Sequence, residues 1–177
     1  AEFPDDGFDE PSRRISSYVA TERDDAERRF PPVSDHWGAY GWAETAAWPT
    51  TLTDDERAYA ERQAGLFGLQ VRYESQRRES GVVRWTRGPV ALPAGVGTLG
   101  EGLGGIRRLT ALDPELDVDR EAVDERLACV AGILVERQAR SDDPREDGAW
   151  FRHDITQVDD QQHAVSALLA ALPVLED

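Results

Sequence analysis

The chain has 177 residues, 20 basic against 35 acidic side chains and a formal charge of -15, enough length for one domain with a real core. Every basic residue is Arg, and there is no Lys, no Asn and no Met. This composition excludes a Schiff-base or phosphate-loop lysine, and the single Cys129 excludes an intrachain disulfide and any multi-cysteine metal site. So acidic a surface also argues against nucleic acid and anionic membranes, since both need a basic face. A GC-rich bacterial genome accounts for the missing Lys, Asn and Met; a halophilic surface is the other reading.

Taken in chain order, residues 1–14 (AEFPDDGFDEPSRR) read as an acidic tether ahead of a single helical domain over 15–177. The start at Ala1 rather than Met fits a processed signal, a removed anchor or a cloning boundary, so an exported or membrane-proximal location is slightly favoured as an expectation over a cytoplasmic one. Residues 10–30 predict a helix with Ile15, Tyr18 and Val19 on its apolar face, ended by Pro31 and Pro32. The aromatic segment that follows holds Trp37, Tyr40, Trp42 and Trp48. Thr53-Asp54-Asp55-Glu56 is a capping box opening a helix to about Gln76, with Ala60, Ala64, Phe67 and Val71 inward. Gly81–Trp85 reads as a short strand or extended connection, and Pro89 and Pro93 predict irregular chain after it.

Thr98-Leu99-Gly100-Glu101 reads as a second capping box, opening a helix that buries Leu99, Leu103, Ile106 and Leu109. Gly100, Gly102, Gly104 and Gly105 weaken that helix by about 1 kcal/mol each, which calls for close approach of a neighbouring helix or ligand. From Asp119 to Gln138, Val123, Leu127, Val130 and Leu134 repeat at four, three and four. The last helix covers about 158–172, with Val165, Leu168, Leu169 and Leu172 predicted on its buried face. About five helices and almost no strand signal predict an all-α fold of antiparallel hairpins.

Several patterns bear on chemistry. Gly95-Val96-Gly97-Thr98-Leu99-Gly100 matches G-x-G-x-x-G but lacks the flanking strands of a dinucleotide site, so a tight turn is expected. Asp159 and His163 are four apart on one helix face, with Asp160 beside them: an acid–His set suited to proton transfer, or to helix-end charge and a polar network. Two ligands do not complete a metal site, and His36 and His153 are unplaced, so neither metal nor cofactor is expected. Trp37, Tyr40, Trp42, Trp150 and Phe151 are candidate ligand-binding aromatics, though such groups also close the ends of helical bundles. Cys129, among Ala128, Val130 and Ala131, reads as a small core residue.

Residues 127–172 hold Gln138 at a helix end, Asp147-Gly148-Ala149-Trp150 in a loop and an Ala/Leu-rich run from Ala164 to Leu172. This resembles one repeat of the (α/α) toroid proteins of the squalene-cyclase and prenyltransferase type. The resemblance implies that Gln138 and Trp150 join neighbouring helix ends. It also sets Gln157-Val158-Asp159-Asp160 where those cyclases carry Asp-x-Asp-Asp, with Asp159 in the place of the acid and Gln157 replacing the first Asp. Similar toroids also carry polysaccharide-cleaving enzymes. It covers about a quarter of the chain, in one copy.

Two functions follow as expectations. The first is a non-catalytic binding or subunit domain that recognises a protein, or an apolar or sugar ligand, through its aromatic residues. The second is a toroid-type enzyme, isoprenoid cyclase-like or glycan-processing, using Asp159 or Asp160 as acid and His163 as partner. No nucleic-acid partner and no membrane span are expected.

Overall fold

The computed structural model describes residues 7–27, 34–48, 51–79, 93–151 and 154–176. They form α1 (Asp9–Thr21), α2 (Arg23–Glu27), α3 (His36–Ala46), α4 (Asp54–Glu79), α5 (Pro93–Leu112), α6 (Arg120–Glu136) and α7 (Val158–Leu175), with no sheet among them. The fold is all-α, as the sequence predicts. None of these helices is long and apolar enough to cross a membrane. Gly81–Trp85, Pro31, Pro32, Pro89 and His153 lie outside the described residues.

Local sequence accounts for most helix starts. Thr53 and Glu56 make the expected reciprocal cap of α4: the Glu56 amide donates to Thr53 Oγ1 at 3.3 Å, and the Thr53 amide to Glu56 Oε2 at 2.9 Å. Asp119 caps α6 by accepting from the amides of Glu121 and Ala122. Val123, Leu127, Val130 and Leu134 of α6 are all buried, as their spacing predicts. Each such side chain contributes roughly 1.5–3 kcal/mol through burial.

The second expected capping box is not one. Helix α5 begins at Pro93, whose missing amide costs nothing at a first helical position, so Thr98 lies inside the helix. The Thr98 hydroxyl donates back to the Gly95 carbonyl, and Glu101 is freed for another role. G-x-G-x-x-G is therefore one and a half turns of helix rather than a turn or phosphate loop. At the N-terminus, α1 begins at Asp9, within the stretch read as a tether, and exposes Ile15 (64%) and Tyr18 (55%) while burying Ala20.

Helix α5 is the hub, packed against α3, α4, α6 and α7. Its glycines are where those helices come close. A Cβ on Gly97 would lie 2.4 Å from the His163 carbonyl carbon of α7, and one on Gly105 would lie 2.8 Å from the Ala39 carbonyl carbon of α3. Gly100 and Gly104 meet Ala167 and Ala170 of α7 in the same way.

That seam decides which face of α7 is buried. His163, Ala164, Ala167 and Ala171 point inward, whereas Val165, Leu169 and Leu172 are 46%, 61% and 45% exposed and Leu168 is half-buried. The expectation that this face meets the core is thus overturned for Val165, Leu169 and Leu172, while Leu168 packs against the core. A glycine-surfaced partner admits a backbone at short range only if the facing side chains are small too.

Between α6 and α7 the loop folds back on itself. Amide and carbonyl of Ala139 pair with the Ala149 carbonyl and Gly148 amide, and Gly148 takes a φ of +80° that glycine adopts without strain. Gln138 Nε2 donates to the Gly148 carbonyl, and Trp150 Nε1 donates to the Leu134 carbonyl at the end of α6 at 2.9 Å. Trp150 is 3% exposed, so it staples the loop to the helix.

Candidate functional site

Gly97, Glu101 and Gly105 follow one another at intervals of four and share a face of α5. Helix α7 crosses at the first and α3 at the last, so Glu101 is held between the two crossings and is 2% exposed. From α7 comes His163, 7% exposed, with Nδ1 2.6 Å from Glu101 Oε2. From α3 comes His36, whose Nε2 is 3.9 Å from the same oxygen.

His36 is the first residue of α3, and its place is set by the cap before it. Asp35 accepts from the Gly38 amide at 2.9 Å, its own amide donates to Gln63 Oε1 of α4 at 2.8 Å, and Arg23 forms an ion pair with its carboxylate. The helix end is thereby tied to α2 and α4 before His36 begins.

The ligand atoms of His36, Glu101 and His163 all lie within 4.8 Å of one another. His36 Nε2 is buried and has no hydrogen-bond partner among the described residues. Gln162 donates to the other oxygen of Glu101 at 3.2 Å. On the far side of His163, Nε2 is 3.3 Å from Asp159 Oδ1, and that carboxylate is 66% exposed. His163 therefore bridges a buried carboxylate and a wet one.

Burial pushes the His36 pKa below its ordinary value, against the opposing pull of Glu101. The neutral imidazole so favoured keeps a lone pair available. One turn on, the Tyr40 hydroxyl is pushed up to about 12, first by burial and then by Glu101, and stays a protonated phenol. The Trp37 ring lies 4.8 Å from the His36 ring and the His163 ring stands edge-on to it at 5.4 Å.

The site thus unites some expected residues and drops others. Asp159 and His163 do meet. Asp160 is buried and is not a member of the cluster. Of the five aromatics, Trp42 and Trp150 are core residues at 1% and 3% exposure, so neither is a ligand-facing surface. Trp42 packs on Tyr59 at 4.9 Å, and Trp150 is consumed by its bond to α6. Phe151 is half-buried; only Trp37, 65% exposed, and Tyr40 stand beside the cluster. Cys129 packs against the core, partly buried.

The sequence reading missed Glu101 as a functional group, because it matched a capping box, and left His36 unplaced. The available signal was the lone carboxylate of its helix, spaced four residues from a glycine on either side.

Such an arrangement defines a helical protein with a buried two-histidine, one-carboxylate centre. No protein-family model, curated protein or solved structure matches the chain.

Proposed function

We propose that this is a binding domain whose ligand is a divalent transition-metal ion, held by His36, Glu101 and His163. The observation that carries this reading is the convergence of three ligand atoms, one of them a buried and unpartnered imidazole nitrogen. A buried polar atom without a partner costs about 1–3 kcal/mol, and a bound ion removes that cost.

The spacing supports the reading. Metal bonds of about 2.0–2.1 Å set tetrahedral ligand atoms about 3.3–3.4 Å apart. The Glu101 separations of 2.6 and 3.9 Å bracket that value, and with the three ligand atoms spread over up to 4.8 Å an ion must draw the two imidazoles together and displace the proton shared by Glu101 and His163. Outer groups are in place as well. Asp159 faces the remaining nitrogen of His163 and Gln162 holds the free oxygen of Glu101, the support that orients metal ligands. An N₂O donor set suits zinc, iron or manganese and leaves at least one position for water.

A second reading keeps the metal out and uses His163 to pass a proton between Glu101 and Asp159. The contact at 3.3 Å to the exposed Asp159 favours it. The same exposure counts against an isoprenoid-protonating acid, which needs an apolar, water-free setting.

Equilibrium dialysis with Zn²⁺ and Co²⁺ at 0.3 M NaCl, where salt screens the acidic surface, tests the proposal. The expected result is one tightly bound equivalent and visible Co²⁺ absorption, both lost in His36→Ala and Glu101→Gln. Equal uptake by wild type and variants would overturn it, and a proton-relay role would remain.

A further inference from the structure

Beside this centre, α3, α5, α6 and α7 enclose a surface cavity of about 410 Å³, within the range of small-molecule sites. Its lining is largely apolar, with Ala43, Gly104, Leu169, Ala170 and Pro173. Its lining also carries Arg107, Arg108 and Arg120, and among the described residues no Asp or Glu lines it. In a chain with 35 acidic residues against 20 arginines, a wall with three guanidiniums and no carboxylate runs against the composition.

Just outside the wall two carboxylates answer three guanidiniums. Arg107 donates to Asp124 at 2.7 Å and Arg108 is paired with Glu44. Arg120 stands 3.9 Å from Asp124, beyond hydrogen-bond distance, and is half exposed. Among the described residues Arg120 thus shares Asp124 with Arg107, which leaves its guanidinium weakly engaged, and guanidinium forks suit a planar carboxylate. Leu169, 61% exposed, gives an apolar body something to cover. Among the described residues no Asp, Glu or Gln lines the cavity to grip sugar hydroxyls.

We infer that this cavity binds a small amphipathic carboxylate, its head on Arg108 and Arg120 and its apolar body along Gly104, Leu169 and Ala170. Tyr40 forms part of the wall and feels the charge of Glu101, so the ligand and the buried centre share one phenol. The inference stands whether or not the centre holds a metal.

Calorimetric titration with octanoate, octanol, acetate and octyl phosphate tests it, in buffer containing EDTA so that no metal contributes. Octanoate is expected to saturate one site, with octanol and acetate at least about tenfold weaker. Arg120→Gln and Arg108→Gln, checked for folding by circular dichroism, should each weaken octanoate about tenfold and leave octanol unchanged. Octanoate and octanol binding alike, unchanged affinity in both variants, or no saturation in the millimolar range would overturn the inference. Octyl phosphate binding more tightly than octanoate would overturn the monoanion assignment. Metal dialysis is a separate measurement, so failure of either proposal is seen without the other.

Discussion

Replacing Gly97 by Ala tests the close crossing that builds the site. In an open helix the change should stabilise, because Ala is favoured over Gly by about 1 kcal/mol. Gly65 of α4 supplies that reference: a Cβ there meets nothing within 4 Å. At Gly97 the added carbon would lie 2.4 Å from the carbonyl carbon and 2.6 Å from the oxygen of His163, both backbone atoms of α7. Relief requires the helices to part by about 1 Å, and overpacking of this kind costs about 1–3 kcal/mol. The propensity gain of about 1 kcal/mol offsets part of it, so the net loss is about 0–2 kcal/mol, and the difference from Gly65→Ala about 1–3 kcal/mol. Urea unfolding should show Gly65→Ala more stable than wild type and Gly97→Ala less stable, the latter melting up to about 8 °C lower. Parting α5 from α7 also draws His163 away from Glu101, so Co²⁺ uptake should fall in Gly97→Ala and stay unchanged in Gly65→Ala. Stabilisation of both variants by a similar amount would refute the crossing and the site built on it.

Two further perturbations read other parts of the fold. In metal-free protein, the folded pKa of His36 lies below the 6.5 of the unfolded chain. The stability its neutral form carries is therefore present above pH 6.5 and is lost as pH falls from 6.5 through the folded value. Glu101, His163, Asp35 and Asp159 act on the same ring, so the comparison is with His36→Gln, which should lose less stability than wild type between pH 7 and 5 in urea titrations. Trp150→Phe removes the bond to the Leu134 carbonyl, which keeps the Arg137 amide as a partner, and should cost about 1–2 kcal/mol in urea unfolding; a change below 0.5 kcal/mol would deny it the staple role.

How far the sequence could be read depended on whether the partner surface mattered. Helix α6 was legible because Val123, Leu127, Val130 and Leu134 face an ordinary apolar core, where hydrophobicity and burial agree. Helix α7 was not, because its neighbour is a row of glycines, and shape rather than hydrophobicity chose Ala164, Ala167 and Ala171 over the leucines. Thr53-x-x-Glu56 and Thr98-x-x-Glu101 look the same as strings. They differ because Pro93 starts α5 five residues before Thr98, which leaves its hydroxyl no free amide to cap. Asp159 and His163 were paired correctly, since four-residue spacing is a local rule. Glu101 and His36 meet them only through tertiary packing, and the local mark of that packing is the glycine four residues to either side of Glu101.

The cluster draws one side chain from each of α3, α5 and α7, with 62 residues separating Glu101 from His163. An unfolded or half-folded chain therefore offers no local version of the three-residue site, and nothing bound there can nucleate a single helix. Whatever occupies it, a shared proton or an ion, rewards only the assembled molecule. It acts as a proofreading latch on folding: occupancy should leave the folding rate almost untouched and slow unfolding, because the three helices must part together before the latch releases.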